Sequence, residues 1–508
     1  MQNSDTSEPA ERKTAQQKKV RQLLRRIFKW IGLGLLVLLL ITVIIFQAPW
    51  KVVTLLVIIL AACTALPKPA RKWFWLSTGV VVIAFIIWAL LPEDDEGWRP
   101  YTFDEELAAL EAKYAIPESE NAAAIYNELL KSFDRETMYP DFLDRELDKL
   151  TLSEQWSSQE YPQFAQWLKE QGSTIKTLMR AVQKKTCRFP INVELVVTDK
   201  QEINRYPALK SWGHLLVRAA NNDVAEGRIY QALEKYICAL RIGNHLCQQH
   251  KMLDFLVGFY VENLALVQLN RFVIEGEPST QQLKLISETS TNLQNNWSSD
   301  FIKKLESDNL FCKNAFGLFY EINSEGHIRL SRNPAAVIRN LFLDWRLGRR
   351  YLEIKPHRAY ALLAWLFLPS APWRVARIIG TSYKKYYTMA QPDFDWDREP
   401  IESHLRFKLN YHYVVKAFIM DMNSSDRLNH SFHDSYLQQI ALRRGSRLLA
   451  AIRQYQVERG AWPPNLDAIR SAAPAEAFID PVSGGQFEYE NHGKRFSLYG
   501  ETINIWPK

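Results

Sequence analysis

A mainly α-helical fold is predicted for this 508-residue chain. It comprises three N-terminal transmembrane helices, a large α-helical soluble domain, and a small C-terminal α+β module made of a long helix and an antiparallel β-hairpin. Three observations predict it. Three apolar runs crowd into residues 30–91. Helical periodicity of apolar residues then dominates as far as about Met422. From about Ser431 a long helical pattern gives way to short alternating stretches. The implied division is a basic cytoplasmic tail (1–29), membrane helices (30–91), a helical domain (92–425) and the α+β module (426–508).

The apolar runs are IGLGLLVLLLITVIIF (31–46), VVTLLVIILAACTAL (52–66) and WFWLSTGVVVIAFIIWALL (73–91). A spanning helix needs roughly 20 mostly apolar residues. The first and third runs reach that with their flanking aromatics. The second does so only if Trp50 and Lys51 lie at the interface, where an aromatic ring and a snorkelling Lys stem are stable. Loops as short as QAPWK and PKPARK argue against three buried core helices. The first run has no small-x-small site behind it and does not read as a cleaved signal.

Direction follows from basic residues. Arg12, Lys13, Lys18, Lys19, Arg21, Arg25, Arg26 and Lys29 fill the tail, and Lys68, Arg71 and Lys72 fill the second loop. The first loop has only Lys51, and Glu93, Asp94, Asp95 and Glu96 follow the third run. Positive loops stay in the cytoplasm. The chain is therefore expected in the cytoplasmic (inner) membrane of a bacterium, with the region after Leu91 in the periplasm. The formal net charge of +7 owes much to this tail, and no groove-reading motif accompanies it, so nucleic acid is not an expected partner.

Cys63 falls inside the second run and reads as a small apolar residue. Cys187, Cys238, Cys247 and Cys312 remain. An oxidising compartment permits disulfides among them, but Cys238 and Cys247 on one straight helix are about 13 Å apart and on opposite faces, too far for a bond. There is no C-x-x-C spacing.

Along the soluble chain, FDEELAALEAKYA opens a helix on acidic residues, which suit its dipole, and Pro117 ends it. ENAAAIYNELLKSF forms the next, and YPQFAQWLKEQGSTIKTLMRAVQKK one more or a pair. NVELVV is a candidate short strand. Leu209, Trp212, Leu216, Ala219 and Ala220 share one helical face, 221–227 turns the chain, and Ile229, Leu233, Tyr236 and Leu240 line the return helix. A third apolar helix covers 253–272, and helices continue over 280–320. SEGHIRLSRNP reads as a loop and QPDFDWDREP as an exposed linker. AYALLAWLFL (359–368) is too short to span; it belongs to the core or, alternatively, rests on the membrane surface. In the C-terminal module, Leu437, Ala441, Leu448, Ile452 and Tyr455 form a helix stripe ended by Gly460 at C′. Phe487 and Tyr489 face Phe496 and Leu498 across an Asn491-His492-Gly493 turn.

Ala220, Gly227, Ala232, Tyr236 and Ala239 stand at the spacings of the packing positions of a tetratricopeptide repeat, so 209–248 resembles a single such hairpin. Asn244 stands where the repeat has Pro, and no tandem copy follows; ordinary helix packing explains the pattern equally well, and Tyr236 reads as a core residue. Tyr455, Gly460, Trp462-Pro463, Leu466, Asp480-Pro481, Gly484, Phe487, Tyr489, Phe496, Leu498 and Tyr499 resemble the globular part of type II secretion major pseudopilins. That resemblance implies a long helix on a small antiparallel sheet with Asp-Pro anchoring the loop between them. The prepilin-peptidase site and the calcium loop of that family are missing, so processing and polymerisation are not implied. The combination also resembles uncharacterised bacterial multi-span membrane proteins.

No chemistry emerges. Asp393, Asp395 and Asp397 alternate as at the start of an EF-hand, but Arg398 and His404 break the pattern, which leaves a solvated linker. His430, His433 and Asp434 read as surface residues at a helix start rather than metal ligands, and His245 and His250 belong to different faces. No catalytic, cofactor or metal residue is assigned. The expectation is a membrane-anchored structural or interaction protein whose partners are the lipid bilayer and an unidentified protein. The alternatives are a membrane-tethered periplasmic hydrolase and an accessory part of a secretion or pilus-like apparatus. A His–carboxylate pocket with a perturbed pKa favours the hydrolase, and an apolar groove without one favours interaction.

Overall fold

The computed structural model of the protein describes residues 97–193, 200–292, 296–330, 371–397, 426–502 and 504–505. The basic tail, the three apolar runs, the apolar stretch 359–368 and most of the candidate strand NVELVV lie outside these residues. Within them the protein is mainly helical with little strand.

In chain order the helices are α1 (Asp104–Lys113), α2 (Ala123–Lys131), α3 (Arg135–Met138), α4 (Arg145–Ser153), α5 (Pro162–Glu170), α6 (Gly172–Ala181), α7 (Lys200–Ala225), α8 (Ile229–Cys247), α9 (Met252–Glu275), α10 (Thr280–Asn292), α11 (Trp297–Gly317), α12 (Pro372–Tyr387) and α13 (Asp426–Arg459). Local chemistry sets many of their ends. Asp104, Glu105 and Glu106 occupy the first turn of α1, where the dipole favours anions. Asp144 caps α4 by accepting from the Leu147 N–H at 2.8 Å. Pro162 opens α5 at N1, where its missing N–H is harmless.

The chain divides into two compact units. One is Met1–Tyr101 with Phe316–Ile379 and Ser403–Asp421; the other is Thr102–Ala315 with Gly380–Glu402 and Met422–Lys508. In the first unit β1 (Arg99–Pro100), β2 (Tyr320–Ile322) and β3 (Ile328–Leu330) form an antiparallel sheet in that order. Tyr320 faces Leu330 and Ile322 faces Ile328. The stretch SEGHIRLSRNP, expected as a loop, thus supplies the turn and second strand of a hairpin. A cross-strand pair fixes its register: Arg329 Nε donates to Glu321 Oε2 at 2.8 Å while its guanidinium lies 3.9 Å from the Trp98 ring centre.

In the second unit α7, α8 and α9 pack on one another as consecutive antiparallel helices. Trp212, Leu216, Ala220, Ala232, Leu233, Tyr236 and Ala239 are buried in the α7–α8 seam, and the Tyr236 hydroxyl donates to Asn221 Oδ1 at 2.5 Å. Tyr236 is a core residue, as its spacing predicts. Helix α7 is longer than its apolar period suggests. It begins at Lys200, runs through Pro207 and continues to Ala225, so the expected turn at 221–227 shrinks to residues 226–228. Polar residues stay helical there because they have partners: Asn221 donates to the Thr151 carbonyl at 2.9 Å, Asn222 to that of Trp156 at 3.1 Å, and Asp223 pairs with Arg228.

The α8–α9 crossing is unusually close. A Cβ on Gly258 would lie 2.7 Å from the Gly243 carbonyl oxygen and 2.8 Å from Cys247 Sγ, and one on Gly243 would lie 2.4 Å from Glu262 Cγ. Only glycine lets the backbones approach this far. Helix α9 is, among the described residues, the one helix long and apolar enough to cross a membrane, yet 56% of its most apolar window is buried inside the protein. Its sequence thus suits a core helix.

Helix α13 packs on α9 and α10. Ala441, Leu448 and Ile452 are fully buried, while Leu437 and Tyr455 are half-buried. The helix ends at Gly460, whose φ of 75° lies in the left-handed region expected of a C′ glycine. Beyond it β4 (Glu488–Asn491) and β5 (Phe496–Tyr499) form the predicted hairpin, with Tyr489 opposite Leu498. A third strand, β6 (Asn504–Ile505), pairs with β5 and was not expected from the sequence. Asp480 is buried and staples the connecting loop: its carboxylate accepts from the Val482 N–H at 3.0 Å and from the Glu501 N–H at 2.8 Å.

Candidate functional site: an apolar groove between α9 and α13

On the outward face of α9, Leu253, Leu256, Tyr260 and Val267 are 49%, 42%, 41% and 47% exposed. Their spacing of three, four and seven residues puts them on one helical stripe.

This stripe borders a groove of about 900 Å³. Leu256, Phe259, Tyr260, Leu264, Val267 and Ile274 of α9 form one wall, and Ser435, Gln438, Gln439 and Leu442 of α13 the other. From Leu256 to Ile274 the α9 wall is about 27 Å long at 1.5 Å per residue. Its charged rim is already neutralised: Arg271 pairs with Glu154 at 2.6 Å and with Glu275 at 2.7 Å.

Beneath the groove, Glu262 interrupts the apolar sequence of α9 and is fully buried. Its Oε1 accepts from Arg443 Nη2 at 2.7 Å, and its Oε2 accepts from Nη2 at 2.6 Å, from Nε at 3.1 Å and from Gln439 Nε2 at 2.7 Å. Burial pulls the Arg443 guanidinium down, but Glu262 outweighs it and the net shift is upward. The Arg443 guanidinium stays charged, and its hydrogen bonds to Glu262 fix α9 against α13. Gln439 both lines the groove and belongs to this pair. At the groove's edge the Tyr260 hydroxyl lies 2.7 Å from His214 Nε2, and His214 Nδ1 lies 3.2 Å from the Tyr139 hydroxyl. Burial, with Arg218 and Lys210 nearby, lowers the His214 pKa to about 3. The ring is neutral at physiological pH and holds Tyr260 in place.

His250, Asp254 and Arg205 line a second concavity, where His250 Nδ1 and Asp254 Oδ1 are each buried without a hydrogen-bond partner. Burial lowers His250 to about 4 and raises Asp254, against the opposing pull of Arg205 and Lys251. The space there is about 10 Å³, roughly one water, and admits no substrate. Arg205 lies 3.6 Å from Asp254 and 2.8 Å from Glu202, so the cluster is an internal ion network. His245, on α8, is separate: its Nδ1 faces the Tyr126 hydroxyl at 3.0 Å and its Nε2 the Lys184 carbonyl at 3.0 Å.

His430 and His433, expected at the surface, are only 8% exposed. Trp396 covers them: its ring stacks on His433 at 3.7 Å with 2° between planes, and it packs edge-on against Trp297 at 5.3 Å. The stretch QPDFDWDREP is therefore not simply an exposed linker. Its aspartates Asp393, Asp395 and Asp397 are exposed while Phe394 and Trp396 are half-buried anchors. Among the described residues no group of three or more His, Cys, Asp or Glu could hold a metal ion. Cys187, Cys238, Cys247 and Cys312 are all free and buried, and burial raises every one of these thiols, Cys312 to about 12.

Sequence reasoning missed the groove and the Glu262–Arg443 pair. The signal for the pair was present: one acid inside FLVGFYVENLALVQLN requires a cation. The chain matches no protein-family model, no curated protein and no solved structure.

Proposed function

We propose that this protein is a membrane-anchored interaction protein with no catalytic chemistry of its own. Three helices within residues 30–91 anchor it in the bacterial inner membrane, the N-terminus stays cytoplasmic, and the helical region is held in the periplasm. The three apolar runs and the Lys/Arg bias of the sequence support the anchor and its direction. The observation that carries the function is the α9–α13 groove, which exposes a stripe of large apolar side chains along α9 and whose only charged lining residues, Arg271 and Glu275, are already paired with each other. Two helices flanking a 27 Å furrow, about five helical turns long, suit a third helix laid between them with an apolar edge. The occupant is accordingly an amphipathic helix of a protein partner.

Two resemblances accompany this reading. The α7–α8 hairpin, with buried Ala220, Ala232, Tyr236 and Ala239, is compatible with a single tetratricopeptide-like unit. A long helix, a small antiparallel sheet and an Asp480-stapled loop are compatible with a pseudopilin-like module. The second keeps an accessory role in a secretion apparatus open as a context for the partner.

The test compares affinity capture from gently solubilised membranes using the natural chain and Val267→Asp. Val267 is 47% exposed, so the substitution leaves the core intact. A protein that co-purifies with the natural chain and is lost with Val267→Asp supports the reading. Turnover in a hydrolase screen that Asp254→Asn abolishes and Val267→Asp leaves unchanged would replace it with the hydrolase.

A further inference from the structure

We infer that the helix seated in the α9–α13 groove is α9 of a second copy of this chain, laid antiparallel. The inference rests on the groove reading above and names its partner. The apolar residues that face outward along α9 are Leu253, Leu256, Tyr260 and Val267, with the half-buried Leu264 between the last two. Their spacings are three, four, four and three. The series reads the same from either end, and at 100° per residue all five positions fall within a stripe roughly 80° wide. A helix turned end for end about Tyr260 therefore sets Leu253 against Val267, Leu256 against Leu264, and Tyr260 against its own counterpart. A twofold contact needs a self-complementary surface of this kind, and it closes at two copies.

Charge and area agree with this occupant. The acids between Leu253 and Val267, Asp254 and Glu262, are buried away from the stripe. The charged lining residues Arg271 and Glu275 map beyond the start of the second α9 at Met252 and stay at the rim. The Tyr260 hydroxyl is held by His214 at 2.7 Å, which leaves its ring to the contact. Lys210, 4.8 Å from that ring centre, is exposed and keeps its charge in water. Two helices, each about 10 Å across and together about 27 Å long, give each copy a face of roughly 540 Å². Two copies bury about 1,100 Å², above the ~1,000 Å² that a specific interface needs.

The test uses the full chain with Cys63→Ala in the membranes of a bacterial host. Cys187, Cys238, Cys247 and Cys312 are buried, so introduced cysteines direct the cross-link. A short bis-maleimide spans helices packed about 8–10 Å apart. Tyr260→Cys should be cross-linked to its own counterpart. Leu253→Cys alone should not, since the two copies of that residue lie about 21 Å apart in this register. It should cross-link to Val267→Cys on a co-expressed copy of different size. Lys284→Cys, on an exposed face of α10, gives the background. Val267→Asp puts a carboxylate into the contact twice over and should lower the Tyr260→Cys product roughly tenfold or more. Leu253→Cys that cross-links to itself as strongly as to Val267→Cys overturns the antiparallel pairing. A Tyr260→Cys product that Val267→Asp leaves unchanged also overturns it, because the copies then meet elsewhere. If neither Tyr260→Cys nor the mixed pair gives product above Lys284→Cys, the second copy is not the occupant. The groove reading then survives if Val267→Asp still releases a captured protein, and falls with the inference if it releases none.

Discussion

His245 shows what burial does to a single titratable side chain in this protein. Its ring donates from Nε2 to the Lys184 carbonyl and accepts at Nδ1 from Tyr126, and burial lowers its pKa to about 4. The ordinary histidine value is near 6.5. Between those two values the unfolded chain binds a proton that the folded chain refuses. Stability from the neutral ring is therefore complete above pH 6.5 and is lost as pH falls through 4. His245 alone contributes up to ~3 kcal/mol of this loss, and His250 and His433, also lowered to about 4, act in the same direction. Thermal unfolding in detergent should shift downward steadily from pH 7 to pH 4.5, and His245→Gln should flatten that slope. A melting temperature independent of pH over this range would contradict the burial of these rings. The sequence could not supply this: His430 and His433 look like surface residues at a helix start, and only the fold brings Trp396 over them.

The longer helices α1, α2, α5 to α11 and α13 were legible, because the apolar period that a helix needs for packing is written in the chain itself, whereas α3, α4 and α12 were not read from the sequence. Helix ends were less so. Tertiary hydrogen bonds to Asn221 and Asn222 carry α7 beyond the point where its apolar period stops. Strands of two or three residues, such as β1, β3 and β6, carry too little alternation to be read. The groove needed two helices about 180 residues apart in sequence, and no local pattern announces such a pairing. What holds those helices together is the Glu262–Arg443 pair. Arg443→Met would leave a buried carboxylate without its partner, which costs about 3–5 kcal/mol. The double change Glu262→Gln with Arg443→Met should cost clearly less, since no charge is then stranded. Equal losses in thermal unfolding for the single and double variants would show that the pair does not work as a unit.

At the scale of the molecule, three apolar runs legible in the sequence precede a helical body whose α9–α13 groove is not. In the proposed reading, the basic tail, the basic second loop and the acidic segment after Leu91 set the direction across a membrane, and an odd number of spans would deliver everything beyond them to the far side. The groove takes its proposed role from that placement. The measurement that tests it most directly is a reporter active only outside the cytoplasm, fused after Lys508 in a bacterial host. The account predicts an active reporter, and inactivity when residues 73–91 are deleted to leave an even number of spans. A well-expressed but inactive fusion to the full chain would contradict it.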